Sequence, residues 1–207
     1  MGVGNDIKGQ IRNPELRSIL RGEGLRQVAF MPIAADDDWF LTTTNFGGAL
    51  NEADTVTSFT LAYCPGFPVC PVTVITDAAA DNWTGVAVIT AGIDQFGDYI
   101  TDSVAATNSS GTWTATNVKA FQTLTSVTIT VAGTTTASDS YVIGFAKTYG
   151  LGCRIAASGD VSVKMFDGAA DAGTTSVANC TYVVAGTPDA AKNLILLIRP
   201  TYYLGKA

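Results

Sequence analysis

Histidine is absent from this 207-residue chain, and that absence bounds its chemistry more tightly than any residue present. Without an imidazole there can be no Ser-His-Asp triad, no Cys-His dyad, no HExxH zinc site and no carboxylate–histidine iron site. Carboxylates remain as candidates for acid–base work. Asp94, Asp98 and Asp102 follow one another closely, and a glycosidase needs two carboxyls within about 5–10 Å. These three gather around and after a predicted hairpin turn, where Asp serves by accepting backbone hydrogen bonds. Glu52 is the only glutamate after residue 30. The carboxylates therefore read as structural, and the chain as a non-enzyme. Asp36-Asp37-Asp38 has the charge to attract calcium, but an EF-hand loop needs a longer, spaced set of ligands, so a solvated turn is expected there.

Four cysteines complete the inventory. Cys64 and Cys70 flank Pro65-Gly66-Phe67-Pro68, a turn that would bring them within bridging range. A reducing compartment favours free thiols there. Cys153 and Cys180 fall at strand-like positions and read as small core residues. No CxxC-type pair is present, so neither zinc nor any cofactor is expected. Gly150-Leu151-Gly152-Cys153 has the opening of a glycine-rich phosphate loop but lacks the third glycine and the following helix, and reads as a turn. Asn82-Trp83-Thr84, Asn108-Ser109-Ser110 and Asn179-Cys180-Thr181 match the glycosylation sequon, as expected by chance in a chain with 28 Thr. Trp39, Trp83 and Trp113 would stack on sugars if exposed; buried sandwich aromatics are the commoner case.

The elements that carry these residues are strands. Gly85-Val86-Ala87-Val88-Ile89-Thr90, Ser126-Val127-Thr128-Ile129-Thr130-Val131 and Ser140-Tyr141-Val142-Ile143-Gly144-Phe145 alternate aliphatic with small or hydroxyl residues. A period of two puts one set on a buried face and the other on a polar face. Val86 to Val104 reads as a hairpin closed by Asp94-Gln95-Phe96-Gly97. Further strands are predicted over Gln27–Met31, Trp39–Thr43, Thr55–Tyr63, Val72–Thr76, Val161–Phe166, Val177–Val184 and Asn193–Ile198, with one helical turn opening at Thr187-Pro188-Asp189. Turns every 8–12 residues indicate an all-β fold, an antiparallel β-sandwich or jelly-roll-like barrel. One domain over residues 31–207 is the simplest division, although two small sandwiches also fit the length.

Residues 1–30 read as an extended N-terminal arm with a short helix. Asn13 caps it, Pro14 opens it and Gly22 stops it. Leu16, Ile19 and Leu20 share one face, and Arg17 and Arg21 another. Two turns do not hold alone, so the helix needs a surface, either the chain's own body or a neighbouring subunit. The arm holds five basic and three acidic residues, the remainder seven basic and fifteen acidic. So acidic a body repels phosphate, and no nucleic-acid partner is expected. No apolar run approaches 18 residues and the N-terminus lacks an apolar signal core, so a soluble protein made in the cytoplasm, without a membrane partner, is expected.

Three segments carry a resemblance. They are Val88-Ile89-Thr90-Ala91-Gly92-Ile93-Asp94-Gln95-Phe96-Gly97, Val118-Lys119-Ala120-Phe121-Gln122-Thr123-Leu124-Thr125-Ser126-Val127-Thr128, and Val142-Ile143-Gly144-Phe145-Ala146-Lys147-Thr148-Tyr149-Gly150-Leu151-Gly152. The series resembles β-rich virion structural proteins of tailed bacteriophages over residues 84–155, about a third of the chain. Leu197-Ile198-Arg199-Pro200-Thr201-Tyr202 resembles their closing strand. The arm and the cysteine turn are not part of the pattern. The resemblance implies a capsid cement or decoration protein on the outer surface of the virion head. Its partners would be the major capsid protein and further copies of itself, as a homotrimer or homodimer. In that setting Lys8, Arg12, Leu16, Arg17, Ile19, Leu20, Arg21 and Arg26 are the expected capsid contacts. Two other roles stay open: a receptor- or glycan-binding head fibre or adhesin module, which requires exposed Trp83 or Trp113, and a tail or neck component.

Overall fold

The computed structural model describes residues 25–60, 70–77 and 83–201. Among them are sixteen strands, a single 3-10 turn at Ser158–Asp160 and no α-helix. In chain order the first strands are β1 (Arg26–Phe30), β2 (Asp36–Asn45), β3 (Ala53–Val56), β4 (Val72–Asp77), β5 (Gly85–Asp94) and β6 (Tyr99–Ala105). Then come β7 (Thr107–Ser109), β8 (Thr112–Thr116), β9 (Phe121–Ala132), β10 (Ser140–Phe145) and β11 (Thr148–Gly150). The last are β12 (Val161–Phe166), β13 (Ala169–Ala170), β14 (Thr174–Ser176), β15 (Thr181–Val183) and β16 (Leu194–Ile198). Every pairing is antiparallel.

The strands form four sheets: β2-β10-β4-β8-β7, β3-β9-β5-β6, β1-β16-β12-β13 and β11-β15-β14. The first two enclose the larger core. Val86, Val88, Val127, Ile129 and Val131 come from one sheet, and Val72, Val74, Tyr141, Ile143 and Phe145 from the other. The period of two drives this: in β9 Val127, Ile129 and Val131 are wholly buried while Thr130 and Ala132 face outward. The other two sheets enclose a separate core of Val28, Tyr149, Leu151, Val161, Tyr182, Leu194, Leu196 and Ile198. β16 is central there, with β1 on one side and β12 on the other. Each of its three buried aliphatic side chains contributes about 1.5–3 kcal/mol of burial. The fold is thus an all-β sandwich architecture with two cores, and the smaller is assembled from both ends of the described chain.

Several local expectations change. The strand expected over Gln27–Met31 is present as β1 (Arg26–Phe30), paired with β16 along its whole length, so the β body begins at Arg26 and the arm does not extend to residue 30. Asp36, Asp37 and Asp38 open β2 rather than forming a turn, because the strand continues until Asp36 lies opposite Phe145. Gly144 permits that approach: a Cβ there would come 1.9 Å from the Asp36 carbonyl oxygen. Val177–Val184 is not one strand. The chain reverses between Ser176 and Thr181 to make the β14–β15 hairpin, with Cys180 at φ +50°. After Pro188 no helical turn forms; Asp189 Oδ1 instead accepts from the amides of Ala191 and Lys192, an Asx turn. Cys70, expected as a free thiol, is disulfide-bonded and wholly buried against Phe121 in the larger core. The expectation of a free thiol rested on an assumed reducing compartment and not on the arrangement of the chain. Cys153 and Cys180 are free.

Candidate functional site

The two cores meet at the tip of the β5–β6 hairpin, where the first and third resembling segments come together. Gly92 lies at a β-bulge between β5 and β9, and a Cβ on it would come 2.1 Å from the Thr123 carbonyl oxygen. Asp94 Oδ1 accepts from the amides of Phe96 (2.7 Å) and Asp98 (2.9 Å), closing the turn. Gly97 takes φ +88°, which suits glycine. So fixed, the tip projects into the smaller sandwich. Gln95 Oε1 accepts from Gly152 N at 2.8 Å, while Gln95 Nε2 donates to the carbonyls of Asn179 (3.0 Å) and Cys180 (3.2 Å). Phe96 packs against the second core.

Beside this latch opens a cavity of about 660 Å³ lined by Arg26, Phe96, Gly152, Cys153, Arg154, Pro200 and Thr201. Among the described residues, two cations, Arg26 and Arg154, line it. Arg26 Nη1 donates to Gly152 O at 2.5 Å, and its guanidinium also hydrogen-bonds the Cys153 thiol. Arg154 lies 4.4 Å above the Phe96 ring. Thr201 N donates to Arg154 O at 2.8 Å, which fixes the cavity's rim. Burial pushes the Cys153 thiol up, and Arg26 only partly offsets this. Cys153 is therefore a protonated thiol at neutral pH, without the thiolate that nucleophilic chemistry requires.

Of the expected capsid contacts, only Arg26 is among the described residues; Lys8, Arg12, Leu16, Arg17, Ile19, Leu20 and Arg21, and the helix expected around them, lie outside. The three aspartates considered for catalysis have different fates. Asp94 caps the hairpin. Asp102 is buried, and its Oδ2 accepts from Asn117 Nδ2 and from the amides of Val118 and Lys119. Asp98 is exposed and only 4.0 Å from Arg154. Trp83 and Trp113 are 6% and 8% exposed, too enclosed to stack on a ligand, and Trp39 packs edge-on against Phe145. No group of three or more potential metal ligands occurs among the described residues, and no helix there is long and apolar enough to cross a membrane.

A second surface escaped the sequence reading because it exists only once strands are in register. On the outer face of β3-β9-β5-β6, Thr55, Thr128, Ile89 and Ser103 form one cross-strand row, and Ala53, Thr130, Ala87 and Ala105 the next. Neither row contains a charge. Ile89 stands near the middle, 46% exposed, and Thr55 and Thr128 hydrogen-bond through their hydroxyls.

No family model, curated protein or solved structure matches the chain.

Proposed function

We propose that this chain is a non-enzymatic structural protein of a tailed-bacteriophage virion. In this reading it binds the outer capsid surface, cements adjacent major capsid protein subunits and associates with further copies of itself. The single observation that carries the reading is the uncharged outer face of β3-β9-β5-β6. Permanent interfaces are depleted of charge at their centres. An acidic body is repelled by a second copy wherever carboxylates face each other, and these two rows are where it is not. The segment resemblance over residues 84–155 supports the phage context, and the arm residues that precede β1 would supply the grip on the shell. The glycan-binding alternative required an exposed Trp83 or Trp113, and both are buried.

Electron cryomicroscopy of the particles that carry the chain tests this. Many copies on the outer head, bridging neighbouring capsid subunits, is the expected result. A few copies confined to the tail or neck would replace the cement role with the tail or neck one.

A further inference from the structure

We propose that the outer face of β3-β9-β5-β6 docks on the same face of a second copy of this chain, sheet against sheet about a two-fold axis, with Ile89 near the centre of the contact. This deepens the reading above and rests on it for the premise that copies meet; what it adds is the surface and the symmetry. Two further rows extend the face already described: Ser126, Ala91 and Thr101, then Thr123, Ile93 and Tyr99. None of the residues in the four rows is charged. Ile89 and Tyr99 are the large side chains that stand out from it, 46% and 61% exposed.

Charge, shape and extent select a second copy as the occupant. Beyond residue 30 the chain carries seven basic and fifteen acidic side chains, and like charges opposed across an interface are strongly unfavourable. A face of Ala, Ser, Thr and Ile meets itself without that repulsion. In shape, the row holding Ile89 is otherwise small, and the next row, with Ala87 on the same strand, is small throughout. A two-fold axis in the interface, running between these rows and across the strands, sets Ile89 of each copy over the Ala87 row of the other. The contact is then reciprocal, as an isologous interface requires. In extent, strands about 4.8 Å apart and rows about 6.8 Å apart give the face roughly 450 Å² in plan, with β3 reaching only the first two rows. Accessible area exceeds plan area, which puts the face towards the lower end of specific interfaces, where a standard one buries about 800 Å² per partner. A contact of that size forms at roughly micromolar concentration.

Sedimentation equilibrium of the full chain, from about 2 to about 200 μM, tests this. The parent should show a monomer–dimer equilibrium. Ile89→Lys and Ile89→Glu each bring like charges together across the axis, and each alone should weaken dimerisation at least about tenfold. Mixed in equal amounts, the two variants should dimerise again, because opposite charges then meet. That recovery also shows that both are folded, which neither loss shows by itself. Ser162→Lys, at an exposed position of β12 in the smaller sandwich, should associate as the parent does. A parent that stays monomeric over the whole range or assembles as a trimer, an Ile89→Lys chain that dimerises as the parent does, or a mixture that fails to recover would overturn the proposal. Placement on the particle is read separately by electron cryomicroscopy, so this contact can fail while the virion reading stands.

Discussion

Gln95 and Gly152 are joined by a 2.8 Å hydrogen bond that crosses from the larger sandwich to the smaller. Gln95 completes the crossing with its amide, which donates to Asn179 and Cys180. One side chain thus satisfies three backbone groups of the other core. Net contributions run at about 1 kcal/mol per bond, and a backbone group left without a partner costs more. Gln95→Ala should therefore destabilise the chain by about 2–3 kcal/mol, whereas Asp98→Ala at the exposed side of the same turn should change little. Scanning calorimetry checks this. A Gln95→Ala melting temperature equal to that of the parent would remove the latch from the account.

Gly92 makes a sharper backbone prediction. With Thr123 O only 2.1 Å from where a Cβ would stand, Gly92→Ala must break the bulge that lets β9 pass β5. Strain of this kind costs several kcal/mol or prevents folding. Gly159, in the 3-10 turn, has open space around it, and Gly159→Ala should be tolerated. Soluble yield and denaturant midpoint of the two variants provide the comparison.

The buried tryptophans differ in one atom. Trp83 Nε1 donates to Thr134 O at 3.2 Å, whereas Trp113 Nε1 has no partner. Trp→Phe creates a comparable void at both positions but strands a carbonyl only at the first. Trp83→Phe should be the costlier change by about 1 kcal/mol. Equal denaturant midpoints for the two variants would contradict it.

Glu52 gives a pH signature. Desolvation pushes its carboxyl up, but hydrogen bonds from Thr135 and from the amides of Gly47, Gly48 and Ala49 outweigh this and hold it below the usual range. A carboxyl depressed in the folded state contributes stability above its unfolded pKa and loses it as pH falls through the folded one. The difference in stability between the parent and Glu52→Gln should therefore be full at neutral pH and shrink below about pH 4.5. A difference that stays constant into acid would assign the effect to packing.

Tyr141 behaves oppositely. Burial, reinforced by Asp54, pushes its phenol up to about 12. Its proton is held more tightly when folded, so this contribution is complete below pH 10 and lost as pH rises through 12. Phenolate absorbance of Tyr141→Phe against the parent should show no missing signal until well above pH 10.

Much of this fold was legible as pattern. The β5–β6 hairpin follows from alternation around Asp94-Gln95-Phe96-Gly97, β12 from the alternation Val161-Ser162-Val163-Lys164-Met165, and β16 from an apolar run of strand length. The β14–β15 hairpin was not, because no Gly or Pro marks the reversal before Cys180. Nor were the first residues of β2: three adjacent acids suggest solvent, yet a strand can expose them on its edges and still pair its backbone. The cavity was the least legible feature. Arg26, Phe96, Arg154 and Thr201 come from four distant parts of the chain, and only the closure of β1 on β16 brings the first to the last. Arg26 was singled out for its charge alone, and Arg154 not at all.

That closure also sets an order of events during synthesis. β1 is translated before every other described strand, yet its partner β16 follows all of them. The larger sandwich, complete by Phe145, can fold while the rest of the chain is still emerging. β1 must wait, with its hydrogen-bonding edge unfilled, until β16 leaves the ribosome. Non-local pairing of this kind is slow and leaves strand edges open to intermolecular pairing. A stall or truncation between Phe145 and Leu194 therefore releases a chain with one finished core and one orphaned strand, the form most prone to aggregate.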